Sequence, residues 1–96
     1  MSGVTVRFGA HERTGDLRHD DDRRYLVLET QDGDERISMS LEQYSLVPEP
    51  GNVFIKDWSE HAGLTASLEA QGLVTRVHTL RVGQFRSTAY EVKVTL

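Results

Sequence analysis

Apolar and polar positions alternate near both ends of this chain and give way to one helical period between them. Val4, Val6 and Phe8 alternate with Thr5 and Arg7, which predicts a strand with one buried face. Residues 9 to 22 break that rhythm. They hold two Gly, two His and dense mixed charge, and they read as a solvated loop. Arg24 to Thr30 predicts a second strand, and its consecutive Tyr25, Leu26, Val27 and Leu28 imply burial on both faces and a central position. Gln31-Asp32-Gly33-Asp34 is a turn signal, because Asp-Gly tolerates the positive φ of a tight hairpin. Ile37, Met39 and Leu41 then alternate with Arg36, Ser38 and Ser40 as the return strand, which Pro48, Pro50 and Gly51 close.

Asn52 to Ile55 is a short β-favouring run that leads into the helical segment. Asp57 offers a side-chain oxygen to the first free amides of a helix, with Glu60 three residues on to complete a capping box. Leu64 and Leu68 fall one turn apart beside Ala62, Ala66 and Ala70, and Gly72 stands where a left-handed residue ends a helix. Leu73 to Val82 and Ser87 to Leu96 form a second hairpin around Gly83-Gln84. These elements predict an α+β domain over residues 1–96: one antiparallel sheet of five to six strands with a single short helix packed on one face through Leu64 and Leu68. The strand over 87–96 is expected at an edge, where it would pair with its copy in a homodimer.

Composition narrows the function classes. The chain has 96 residues, 38% hydrophobic and 27% charged, which suits one folded domain rather than a disordered segment. It contains no Cys, so disulfides and thiolate metal sites are excluded, and a reducing cytoplasm is the expected address. MSGVTVRFGA lacks a basic start and a long apolar run, so no signal peptide is expected, and no stretch approaches the roughly 20 apolar residues of a membrane span. Net charge is −4, with eleven acids and six bases in residues 1–50 against four acids and five bases in residues 51–96. That acidic first half argues against sequence-independent nucleic-acid binding and suits docking onto a basic surface.

No residue set carries a catalytic signature. Asp57, Ser59, Glu60 and His61 invite a triad, but neighbours on one helical turn point in different directions. No Gly-rich phosphate loop precedes the helix, and no catalytic residue, metal site or cofactor is assigned. His11 and His19 with adjacent Glu12 and Asp20 could be read as a metal-dependent hydrolase site, although Arg13, Arg18, Arg23 and Arg24 oppose a cation there. Arg76, Arg81, Arg86 and Lys93 on the C-terminal hairpin leave open a nucleic-acid-binding module. The acidic runs Asp20-Asp21-Asp22 and Asp32-Gly33-Asp34-Glu35 serve solubility and turn chemistry on the plain reading. On the sharper one they compete with nucleic acid for a basic groove, since carboxylates two apart on an extended chain sit roughly 6.5 Å apart. Trp58 either packs against the core or anchors an interface.

Phe54, Lys56, Asp57, Trp58, Ser59, Glu60, Leu64, Leu68, Gly72 and Leu73 spell a phrase, VFIKDWSEHAGLTASLEAQGLV, that resembles a family of small phage, plasmid and other mobile-element proteins. The likeness covers about the last half of the chain. It implies a genomic neighbourhood and no chemistry. With the acidic surface, it sets the expectation of a non-enzymatic protein-binding module, an inhibitor of a host defence complex of the anti-CRISPR kind. Its partner would be a protein with a basic surface, such as a CRISPR effector or another nucleic-acid-binding complex. The expected contact residues are Asp20, Asp21, Asp22, Asp32, Asp34, Glu35 and Trp58.

Overall fold

Eight strands and one helix account for nearly all of the apolar pattern in the computed structural model, which describes residues 1–96. Strands β1 (Val4–Phe8), β2 (His11–Asp20), β3 (Tyr25–Thr30) and β4 (Gly33–Arg36) form an antiparallel sheet in that order. Strands β5 (Ser38–Met39), β6 (Asn52–Lys56), β7 (Val74–Val82) and β8 (Ser87–Val94) form a second antiparallel sheet in the order β5-β6-β8-β7. Helix α1 (Leu64–Ala70) lies between β6 and β7 in the chain. Single turns of 3₁₀ helix occupy Glu42–Tyr44 and Ser59–His61. The fold is therefore α+β and antiparallel, with two four-stranded sheets in place of the single sheet that alternation predicted.

The division arises at Ile37. Its amide donates to the Leu26 carbonyl at 2.9 Å, and the buried Ser38 hydroxyl accepts the Leu26 amide at 2.9 Å. The return strand thus ends at Arg36, and the next two residues pair with Ile55 and Phe54 in the other sheet. Ile37, Ser38 and Leu41 are buried while Met39 is only half-buried, so the apparent alternation runs through a change of sheet.

The main core lies between the facing sides of the two sheets. Val4, Val6, Phe8, Leu17, Leu26 and Leu28 come from the first, and Val53, Ile55, Val74 and Val92 from the second. Leu64 and Leu68 of the helix and Leu73 just after it close the core. A smaller cluster of Leu41, Phe54, Val82 and Ala89 covers the other side of the second sheet. Cover on both faces explains why Asn52 to Ile55 are buried without a break. The helix does more than cover one face. It also screens the open edge of β1, where Ser67 Oγ accepts the Arg7 amide at 3.0 Å and Gln71 Nε2 donates to the Thr5 carbonyl at 2.7 Å.

Two further expectations are corrected. Residues 11 to 20 are a strand, paired first with β1 and then with β3, although Leu17 is their only buried side chain. Strand β8 runs between β6 and β7 and is no edge, so its backbone is not free to pair with a second copy. No helix is long and apolar enough to cross a membrane.

Candidate functional site

Two of the exposed large apolar side chains, Tyr44 and Phe85, meet at one end of the second sheet beside the smaller core cluster. Met39, Tyr44, Trp58, Val82 and Phe85, with Gln43, Gly83, Gln84 and Ser87, line a cleft of about 340 Å³. Phe85 sits in the β7–β8 turn and is 86% exposed, and Tyr44, on the 3₁₀ turn, is 42% exposed. The chain reverses there over Gly83–Arg86, with Gly83 and Arg86 both at positive φ, so the turn projects Phe85 away from the sheet. Trp58 is half-buried against the smaller core cluster, with Lys56 Nζ 5.0 Å from its ring centroid. One side of it is thus packed against that cluster and the other lines the cleft. A side chain added at Gly83 would meet the Tyr44 hydroxyl at 3.1 Å, so Tyr44 leans over that turn.

The acidic residues do not form one surface. Asp20, Asp21 and Asp22 occupy the β2–β3 turn, while Asp32, Asp34 and Glu35 occupy the β3–β4 tip at the other end of β3, about 17 Å away along the strand. Asp20 Oδ1 accepts the Arg23 amide at 3.1 Å. Asp21 Oδ1 accepts the Gly51 amide at 2.7 Å and lies 3.1 Å from Arg24 Nη1. These two carboxylates are thus occupied by turn geometry and neighbouring arginines, leaving Asp22 exposed and unpaired. At the tip, Thr30 Oγ1 donates to the Gly33 carbonyl at 2.7 Å and accepts the Asp32 amide at 3.2 Å. Asp32, Asp34 and Glu35 join none of the ion pairs. Asp34 shares a shallow depression with Arg18, Tyr25, Val27 and Arg36.

The alternative sites come apart in space. His11 and His19 lie on one strand, eight residues and about 26 Å apart, and cannot share an ion. No group of three or more His, Asp or Glu side chains is placed to hold a metal. Register puts Arg76 opposite Val92 and Arg81 opposite Thr88 on one face of the hairpin, while Lys93 faces the other way beside Thr75. Arg76 Nε is 3.0 Å from Glu69 Oε1, and Arg81 Nη1 donates to the Thr88 hydroxyl at 2.5 Å. These cations make no continuous phosphate track.

Glu91, a charged residue in the alternating strand β8, is only 7% exposed. Its Oε2 accepts the Asn52 side-chain amide at 2.7 Å and the Glu49 amide at 3.1 Å, which pins the Pro48–Asn52 connection to the sheet. The pattern hid this because Glu91 alternates correctly with Tyr90 and Val92 and the second sheet is covered on both sides. Tyr44 and Phe85 were also missed. The available signal was an aromatic residue inside a Gly-opened turn, where side chains face solvent. The chain matches no family model, no curated protein and no solved structure.

Proposed function

We propose that this chain is a non-enzymatic module that binds another protein through the Trp58 cleft. The observation that supports it is the gathering of Tyr44, Trp58 and Phe85 around one open cleft, with Phe85 86% exposed. Large aromatics are the residue types that dominate interface energetics, and grouped exposure costs solubility unless a partner covers it. The resemblance of residues 53–74 to mobile-element proteins supplies the context. The target would be a host defence complex that handles nucleic acid, a CRISPR effector being the leading case. A basic surface on that complex would be attracted by the unpaired carboxylates of the β3–β4 tip.

The test is inhibition of target-DNA cleavage by a panel of purified CRISPR effectors, each with the parent chain and with Phe85→Ala. Phe85 supports no core, so the variant keeps its melting point. The expected result is stoichiometric inhibition of at least one effector by the parent, weakened at least tenfold in Phe85→Ala. If no effector is inhibited, the defence target is wrong. If inhibition is equal for both proteins, the cleft is not the contact.

A further inference from the structure

A second concavity lies on the other side of Met39, and its chemistry differs from the aromatic cleft. It has a volume of about 480 Å³, within the range of small-ligand pockets. Its floor and one wall are apolar: Met39, Leu41, Leu46, Val47, Pro48 and Phe54, of which Leu41 and Phe54 are fully buried. Its rim carries three guanidinium groups, Arg23, Arg24 and Arg36, with Asp22 and Glu42.

We propose that this pocket binds a carboxylate carried on an apolar body, with the acid group held by Arg24 and Arg36 and the body laid against Leu46, Val47 and Phe54.

Three features converge on that ligand. Arg36 joins no ion pair; its guanidinium carbon lies 5.5 Å from the Tyr25 ring centroid, and the residue also borders the depression that holds Asp34. Arg24 has its Nη1 occupied by the Asp21 carboxylate at 3.1 Å, while its Nε is buried and without a hydrogen-bond acceptor. Buried donors are almost always satisfied, so the orphaned Nε leaves the Arg24 guanidinium short of one acceptor. Arg24 is also held at φ 57, a left-handed conformation that a non-glycine residue enters at a cost and that clusters at ligand sites. Asp21 is itself fixed by the Gly51 amide, so the guanidinium is oriented before any ligand arrives.

The lining distinguishes among anions. Arg23 and Arg24 already face Asp20 and Asp21, so Arg36 is the lining guanidinium without a carboxylate partner, which suits a monoanionic carboxylate better than a dianionic phosphate. A planar carboxylate also matches the fork of a guanidinium in two parallel hydrogen bonds. The apolar wall then demands a body without charge. Free fatty or aromatic acids and the C-terminal carboxylate of a peptide ending in a large apolar residue share this chemistry.

The experiment titrates the full chain with decanoate, decanol, a pentapeptide ending in Leu, and its C-terminal amide, following backbone amide shifts by NMR. The proposal expects saturable shifts at Met39, Leu46, Val47 and Phe54 with decanoate or with the free-acid peptide, and at least tenfold weaker binding of decanol and of the amide. Whichever acid binds more tightly identifies the source. Arg36→Gln should weaken the acid at least tenfold. Arg24→Gly removes the guanidinium while relaxing the left-handed backbone, so it stays folded and should also lose binding. Equal binding of acid and neutral analogue, no saturable shift with either acid, or unchanged affinity in both variants overturns the proposal. Phe85→Ala leaves this pocket intact, so failure here and failure of the Trp58 cleft are read separately.

Discussion

At the residue scale, Asp57 shows how a correct residue can be assigned the wrong geometry. It does cap the helix, but from a distance: Oδ1 accepts the Gly63 amide and Oδ2 the Thr65 amide, each at 2.9 Å. The helix begins at Leu64 rather than at Trp58, because Gly63 turns the chain through φ 91 after the 3₁₀ turn. Asp57→Ala leaves two helix amides without acceptors, and the expected cost is about 2 kcal/mol, the upper end for a lost cap. Urea unfolding checks this, and a loss under about 0.5 kcal/mol would remove the cap from the account. Glu60, expected to close a capping box, turns instead to its own surroundings. Hydrogen bonding from the Ser59 side chain, then from its own amide, and the charge of Lys56 lower its carboxyl pKa to about 2. The folded value lies below the unfolded one near 4.5, so this contribution is complete above about pH 4.5 and disappears as pH falls through 2. An NMR titration of the Glu60 carboxyl should have its midpoint near 2, and Lys56→Met should raise it. A midpoint above 4 in the parent would contradict the arrangement around Ser59.

At the element scale, strand β2 is where the sequence was least legible. Only Leu17 of its ten residues is buried, so the period that reveals a strand is missing. Its order comes from backbone pairing with β1 over His11–Gly15 and with β3 over Asp16–Asp20, which no side-chain pattern records. Gly15 marks the changeover. A Cβ there would lie 2.2 Å from the Glu29 carbonyl oxygen and 2.8 Å from its carbon, both backbone atoms that cannot step aside. A glycine inside a strand is a known sign of such close approach, but here it stands in a charged segment without alternation, where a glycine equally suits a loop. Gly15→Ala should therefore separate β2 from β3 at a cost of about 3 kcal/mol or more, beyond ordinary overpacking. Thr14→Ala, next door and exposed, should cost little. Equal melting points for the two variants would mean that the strands do not approach as described. The elements with clean alternation or β-rich runs were legible to within a residue or two, β1, β3, β6 and β8 among them, while the helix was legible in its Leu64 and Leu68 face and its end but not in its start. The partition into two sheets was not, because it depends on the bonds between Leu26 and residues 37–38.

At the scale of the whole molecule, net charge and surface pattern make different statements. The net charge of −4 suggested an acidic face, yet pairing at the β2–β3 turn withdraws Asp20 and Asp21, and the arginine-rimmed pocket stands beside them. What remains unpaired is Asp22 alone at that turn and the group of three carboxylates at the β3–β4 tip. If the tip steers the module to a basic partner, replacing Asp32, Asp34 and Glu35 by Lys should slow association and weaken binding at low salt, since like charges facing across a docked surface cost several kcal/mol. The proper control changes the same net charge elsewhere: Glu12, Glu49 and Glu69 to Lys, which also moves the molecule from −4 to +2. Glu12 and Glu69 are in exposed ion pairs worth little to stability, and Gly33 keeps the tip turn intact in the other variant, so both proteins should fold. Steering by overall charge alone would slow both variants equally. Steering by the tip would slow the tip variant by at least tenfold more, and the difference should shrink as salt shortens the screening length to about 8 Å near physiological strength and below it further on. Measured association rates that fall together at every ionic strength would leave the Trp58 cleft as the whole of the contact, with the acidic tip serving only to close a hairpin.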